Sequence, residues 1–173
     1  MTNQIFLIRD AQPGDAEKLI HLHFNAVHAI AEEFYPKEVL DAWSPAPAAG
    51  RYAWMREMIS NRSNLILVGE VAGESASFCM MSRDTGFIKA LYVDPRFSRQ
   101  RLGKQLLLSA ENQLAGLGVS RLVLNASMNA VGFYRAMGYR VGEEGAQTLS
   151  DGSEMKCCTM HKTFSAPAGE MPA

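Results

Sequence analysis

The sequence predicts one α/β domain organised on a mostly antiparallel sheet. Three observations carry this expectation. Apolar runs of strand length cluster between residues 65 and 93, the last of them passes through a basic turn into an amphipathic helix, and no internal repeat or second composition regime divides the chain. At 173 residues the chain is long enough to bury a full core without disulfide or metal staples.

Taken in order, Ile5 to Arg9 has the apolar character of a short strand, and Pro13-Gly14-Asp15 suits the first turn of a helix. Ile20, Phe24, Val27, Ala31 and Phe34 recur at helical spacing and predict a core-facing stripe. A short helical piece ends near Trp43, and the loop from Ser44 to Gly50 is broken by Pro45 and Pro47 before helical character resumes over Arg51 to Ser60. Leu65 to Val71 and Ser75 to Ser82 read as strands joined by a hairpin over Ala72-Gly73-Glu74. Asp84-Thr85-Gly86 turns the chain into a third strand, Phe87 to Val93, which Asp94-Pro95 terminates because proline has no N–H to give a ladder.

A helix then carries Leu102, Leu106, Ala110, Leu114 and Leu117 on one stripe until Gly116 and Gly118 stop it. Arg121 to Ala126 alternates as a strand, with Leu122 and Leu124 on one face. Ala130 to Met137 is a short helix closed by Gly138, with Ser127 or Asn129 as its cap. Tyr139 to Glu143 and Lys156 to Thr163 are expected to pair across a loop containing Asp151-Gly152. The domain is expected over residues 1–164. The last nine, Ser165 to Ala173, lack core residues and are expected to be disordered.

The segment most suited to chemistry is the basic turn. A helix start leaves backbone N–H groups unpaired and carries the positive end of the helix dipole, which makes it a ready phosphate site. Arg96, Arg99, Arg101 and Lys104 add positive charge there, and Gly103 lets the backbone approach a ligand closely. A solvated basic helix start is the alternative on spacing alone.

Composition excludes several other classes. A net charge of −1 gives no global field for nucleic acid, and the basic patch lacks interleaved aromatics apart from Phe97. No apolar run is long enough to span a membrane, and the N-terminus has no charged-then-apolar signal pattern. Cys79 and the adjacent pair Cys157 and Cys158 form an odd set, and neighbours in sequence cannot make an unstrained bridge. A reducing, cytoplasmic location is therefore expected. His21, His23 and His28 have no Cys or acidic partner at ligand spacing, so they are expected at the surface or core edge and no metal is expected.

Two motifs in order resemble the GNAT N-acetyltransferase family, in the manner of its small single-domain bacterial members. VDPRFSRQRLGKQLL, from Val93 onward, resembles the family's acetyl-CoA loop, a strand ending in V-x-P followed by Q/R-x-x-G-x-G/A and a helix. Here Ser98 holds the Q/R place, Arg101 the first glycine and Gly103 the second. LNASMNAVGFYRAMGY, from Leu124 to Tyr139, resembles the family's N-A-x3-N-A-x2-F-Y-x3-G-F/Y segment. The likeness covers roughly residues 5–162.

This resemblance implies a central sheet of about six or seven strands with helices on both faces, splayed between strands 87–93 and 121–126. The co-substrate acetyl-CoA would enter the gap at the carboxyl ends of those strands, where open α/β sheets bind ligands. It implies cofactor contacts from the backbone of Leu91, Tyr92 and Val93, from Ser98, Arg99, Gln100, Arg101, Leu102, Gly103 and Lys104, and from Asn129 and Phe133. Arg101 is expected to keep φ negative and to point outward toward the nucleotide's 3′-phosphate. Tyr35, Trp43, Tyr52 and Trp54 are candidates for an acceptor pocket, with helix packing as the alternative. A small-molecule or peptide amine would be the acceptor, and a homodimer stays open.

Acetyl transfer needs a fixed thioester, an uncharged amine, a donor for the developing oxyanion and an acid for the leaving thiolate. Tyr134 matches the family's tyrosine and is the candidate acid. Packing of Phe133 and Tyr134 against the sheet is the alternative. Many relatives carry a glutamate base on the strand that here offers only Lys89, so Glu33, Glu70 or His161 acting through water stay open as bases. The competing function is a non-catalytic CoA-binding or protein-interaction module on the same fold.

Overall fold

Strand-forming runs joined by tight turns leave the first half of the chain little choice but an antiparallel ladder. In the computed structural model, which describes residues 6–164, β1 (Phe6–Asp10), β2 (Asn64–Val71), β3 (Glu74–Ser82) and β4 (Ile88–Val93) form one sheet in that order. β5 (Arg121–Ser127), β6 (Arg140–Thr148) and β7 (Glu154–Thr163) form a second, in the order β5-β7-β6. The two meet at one parallel bridge, Phe87 to Val123, where the Val123 N–H donates to the Gly86 carbonyl at 3.2 Å. Beyond it β4 and β5 diverge, which is the splay expected between these strands.

Several boundaries moved, for local reasons. Ile5 and the tail Ser165 to Ala173 lie outside the described residues. The β2–β3 hairpin turns on two residues rather than three. Val71 pairs with Glu74, and Ala72 and Gly73 take φ of 51° and 82°, the pair of positive angles that a type I′ turn demands. β6 runs on to Thr148 because the Leu149 N–H closes on the Ser153 carbonyl at 2.7 Å and holds the two strands together to the turn.

Helices cover both faces. α1 (Ala16–His28), α2 (Lys37–Trp43) and α3 (Ala49–Ser60) lie on one side, where Leu19, Ile20 and Met55 pack on Ile66, Val68, Phe78 and Met80. α1 stops at His28, so Ala31 and Phe34 fall beyond the stripe expected of them and Phe34 is 43% exposed. α4 (Leu102–Gly116) and α5 (Val131–Ala136) lie on the other, where Leu106, Leu107, Ala110 and Leu114 pack on Leu65, Leu67, Cys79 and Met81. Leu117, past the end of α4, is exposed. A 3-10 turn, Met128–Ala130, precedes α5, and neither Ser127 nor Asn129 caps it through its side chain.

One charged group is buried in the second layer. Glu111 on α4 accepts from the Tyr139 hydroxyl and from Lys162 Nζ, both at 2.8 Å, and Lys162 also donates to the Met137 carbonyl at 3.0 Å. Each carboxylate oxygen accepts one of these bonds, so the charge is tolerated. The cluster ties α4, the end of α5 and β7 together behind the splay.

Candidate active site

The splay leaves the inner edge of β4 without a strand partner. Tyr92 and Ala90 pair with Phe78 and Met80 of β3, and the Asp94 N–H continues that ladder by donating to the Ala76 carbonyl at 2.8 Å. Alternation then turns the N–H and C=O of Leu91 and Val93 the other way, into the gap. A cleft of about 90 Å³ opens there, bordered by Leu91 and Tyr92 of β4, Leu124 and Ala126 of β5, and Tyr134.

Toward the N-terminus of α4 this cleft adjoins a larger cavity of about 580 Å³, lined by Val93, Ser98, Arg99, Arg101, Gly103 and Phe133, with Leu102 and Lys104 on its wall. No side chain caps α4, so the N–H groups of Leu102, Gly103 and Lys104 have no acceptor within the helix. A Cβ at Gly103 would meet Val93 Cγ2 at 3.4 Å and the Phe133 ring at 3.7 Å, so a larger residue would narrow the space in front of those donors. Unpaired N–H groups, arginines and lysine around a cavity of this size suit a pyrophosphate. Gln100 does not line it, and Asn129 lines none of the cavities along β4.

The backbone of this turn departs from expectation. Arg101 takes φ 60°, ψ 20° and Arg99 takes φ 62°, both left-handed. Arg101 therefore does not keep φ negative. It takes a conformation that glycine adopts freely, at a cost of about 1–2 kcal/mol for each non-glycine residue so held. Its side chain borders the cavity beside Arg99 and Lys104.

On the α1–α3 side the cleft opens into a third cavity of about 500 Å³, sharing Trp43, Lys89, Ala90 and Tyr92 with it. Trp43, Trp54, Phe78 and Tyr92 give this cavity an aromatic wall, and Met55, Met58 and Met80 add thioethers. Of the four aromatics singled out in the sequence, Trp43 and Trp54 line it, and Tyr35 and Tyr52 do not. Tyr35 is buried, donating to the Lys156 carbonyl at 2.5 Å and accepting from the Met128 N–H at 2.7 Å, and so fastens the loop after α1 to the second sheet. Tyr52 meets His21 Nε2 at 3.1 Å on the outer side of α3. Tyr92 turns its ring away from the phosphate side, against His23 at 4.5 Å and Phe78 at 5.7 Å.

His23, Arg51 and Lys89 also border this cavity. His23 is half-buried at the core edge, one of the two places expected of it. Its Nδ1 accepts from the Ser44 hydroxyl at 2.8 Å and from Arg51 at 3.1 Å, so the other ring nitrogen carries the proton. Burial first, and then the positive charges of Arg51 and His28, push its pKa down to about 3. The signal for Lys89 was in the sequence, as the one charge within an apolar strand. His23 and Arg51 gave none, because a histidine on a helix and an arginine at a helix start are ordinary.

Tyr134 lies on α5 with its ring 5.1 Å from Phe133 and 5.4 Å from Tyr139. Its hydroxyl makes no hydrogen bond among the described residues. Burial, with smaller contributions from Tyr92 and Cys79, raises its pKa above the ordinary phenol value. None of the bases considered from sequence borders the cleft or the two cavities that flank it. Glu70 pairs with Arg9 at 2.6 Å on the β1–β2 side, and His161 sits in β7 opposite Val123 and Arg140. Among the described residues no cluster of three or more His, Cys, Asp or Glu could hold a metal ion, and no helix is long and apolar enough to cross a membrane.

Comparison with known proteins agrees with this geometry. Residues 30–163 match the family model described as an acetyltransferase (GNAT) domain. An uncharacterized N-acetyltransferase, YafP, from Escherichia coli K12 is 25% identical over 136 residues, 77% of this chain and 80% of its own. The fold is that of a GCN5-related N-acetyltransferase from Rhodopseudomonas palustris, at TM-score 0.84 and 23% identity over 95% of this chain and 99% of that one. It is also that of the PaiA N-acetyltransferase from Thermoplasma acidophilum, solved with coenzyme A, at TM-score 0.74 and 22% identity over 92% and 99%. The chain belongs to the GNAT family, the acyl-CoA N-acetyltransferases.

Proposed function

We propose that the chain transfers an acetyl group from acetyl-CoA directly to an amine in a ternary complex. The observation that carries this reading is the line of three adjoining spaces along the inner edge of β4. A phosphate-suited cavity stands at one end, an aromatic cavity at the other, and Tyr134 borders the narrow cleft between them. Two substrates entering from opposite ends would meet there, with no need for a covalent enzyme intermediate.

The residues divide the work by position. The N–H groups at the start of α4, with Arg99, Arg101 and Lys104, hold the pyrophosphate and neighbouring phosphate. The outward N–H and C=O groups of Leu91 and Val93 pair with the amide-bearing pantetheine arm as a missing strand would, and one of these N–H groups faces the developing oxyanion. Acetyl-CoA itself supplies the activated thioester. Three buried free thiols, Cys79, Cys157 and Cys158, suit a reducing cytoplasm.

Tyr134 is the proton donor to the leaving thiolate, and its surroundings define how. A thiol near pKa ~8.5 is a weaker base than a phenolate near ~10, so transfer is uphill by about 2 kcal/mol before burial raises the phenol further. Tyr134 therefore acts as a hydrogen-bond donor to sulfur while the C–S bond breaks. The amine first loses its ammonium proton to solvent. Tyr134 then passes its proton to sulfur and takes up the one released by the attacking nitrogen, acidified by forming the C–N bond, so one proton leaves nitrogen, one arrives on sulfur and the phenol is restored without a carboxylate base.

Titration calorimetry with acetyl-CoA, using CoA and ATP as comparators, tests the reading, followed by thiol release with amines. Saturable binding stronger than that of ATP is expected. Tyr134→Phe is expected to lower kcat at least tenfold with acetyl-CoA affinity near that of the wild type. Absence of acetyl-CoA binding would overturn the assignment in favour of an interaction module, and unchanged turnover would remove Tyr134 from the mechanism.

A further inference from the structure

The aromatic cavity carries two cations and no anion. Arg51 and Lys89 both border it, and no aspartate or glutamate does. Two other half-buried cations have carboxylate partners: Arg9 has Asp15 at 2.8 Å and Glu70 at 2.6 Å, and Lys162 has Glu111 at 2.8 Å. Arg51 has only neutral acceptors, the Pro45 carbonyl, His23 Nδ1 at 3.1 Å and Ser44 Oγ at 3.4 Å. Lys89 has the Asn64 amide oxygen at 2.7 Å. His23, held neutral, supplies no anion and adds no third cation.

Arg51, half-buried, bears a desolvation cost with no ion pair in return, and the more exposed Lys89 adds a second positive charge on the same wall. Burial lowers the pKa of Arg51, which is the direction expected of a cation that lacks an anion. The guanidinium is fixed by its contacts to Ser44 and Pro45, and five N–H donors leave it capacity beyond the bonds it makes. The remaining wall is apolar, and about 500 Å³ is the volume of a small-molecule site.

We propose that the acceptor is a small free amino acid with a large apolar side chain, whose carboxylate is received by Arg51 and Lys89 and whose body lies against Trp43, Trp54 and the methionines. This rests on the transferase reading above and names its substrate class. Because Lys89 and Tyr92 border both the acceptor cavity and the thioester cleft, the carboxylate end is anchored close to the place where the amine must react. The same positive field disfavours a second positive charge, so the amine is encouraged to shed its proton, and polycationic acceptors are repelled.

The test uses matched acceptors with the full chain: L-tryptophan and L-phenylalanine against tryptamine and phenethylamine, which keep the ring and amine but lack the carboxylate, and spermidine as a polycation. Turnover is read by thiol release at saturating acetyl-CoA. Binding is read separately by the fluorescence of Trp43 and Trp54. The amino acids are expected to exceed their decarboxylated counterparts by about 10–100-fold in kcat/KM and in affinity, the range for a lost charge-assisted contact.

Lys89→Gln and Arg51→Gln, checked for folding by circular dichroism, are each expected to shrink that ratio at least tenfold; Lys89→Gln keeps the result readable if Arg51→Gln unfolds the loop at Pro45. Equal or better binding of the decarboxylated amines or spermidine, or no binding of the amino acids, overturns the inference. Calorimetry separates the two levels. Loss of acetyl-CoA binding would defeat the transferase reading itself, whereas acetyl-CoA binding with the wrong acceptor preference defeats this inference alone.

Discussion

Burial of His23 makes stability depend on pH in a range where few other groups titrate. The ring accepts from Ser44 and Arg51 and can take a second proton only beside the Arg51 guanidinium. Its folded pKa is therefore about 3, whereas an unfolded histidine titrates near ~6.5. A depressed folded pKa means that the unfolded chain binds the proton first. The stabilising contribution is thus complete above pH ~6.5 and is lost progressively as pH falls toward the folded value.

Between pH 7.5 and 5.0 the loss integrates to about 2 kcal/mol, since below ~6.5 each pH unit is worth about 1.36 kcal/mol. The assay is urea unfolding at pH 7.5, 6.0 and 5.0 on wild type and on His23→Asn, whose amide oxygen can accept the same two hydrogen bonds without titrating. Other groups change alike in both proteins and cancel in the difference. Wild type is expected to lose about 2 kcal/mol more than the variant over that range. Equal losses, within about 0.5 kcal/mol, would mean that His23 takes up its proton freely in the fold and that its buried, neutral description is wrong.

Relief of the left-handed strain at Arg101 by Arg101→Gly returns about 1–2 kcal/mol and concedes about 0.5–1 kcal/mol of backbone entropy, a net gain near ~0.5–1 kcal/mol and a Tm higher by roughly 2 °C. Arg101→Ala keeps the strain and is expected to show no such rise in a thermal melt. Acetyl-CoA affinity should fall about tenfold in both, because each loses a phosphate contact. Lys162→Met strips Glu111 of its cation beside a buried carboxylate, at a cost of about 3 kcal/mol and roughly 6–12 °C in Tm by calorimetry. Adding Glu111→Leu should recover most of that loss, because the stranded charge goes with it.

How much of this was legible in the sequence depends on the range of the interaction that decides each feature. The strand from Phe87 to Val93, the proline that ends it and the stripe of α4 are fixed by neighbours within a turn or two, and they stand where the periodicity placed them. The end of α1 is not so fixed. Nothing between His28 and Phe34 breaks a helix, yet Tyr35 is drawn to the Lys156 carbonyl and the Met128 N–H, partners 121 and 93 residues away, and the chain leaves the helix to reach them. A pattern of local spacing cannot register a contact of that range.

The site divides along the same line. The phosphate end is a local structure, a helix start and its basic turn, so the motif names its residues even where the glycine is missing. At Arg101 the turn takes φ 60° with a side chain on it, a conformation that glycine adopts without strain. The aromatic cavity is assembled from α1, α2, α3, β3 and β4 together, and its charge is a property of the whole wall. Lys89 stands out in the sequence as the one charge of an apolar strand, but nothing there says what that charge is for. That becomes readable only when Arg51, 38 positions away in the chain (89 − 51), is found on the same wall with no carboxylate lining it. This cavity is a sum over distant elements, which is why the family could be anticipated from two motifs and the charge of this wall could not.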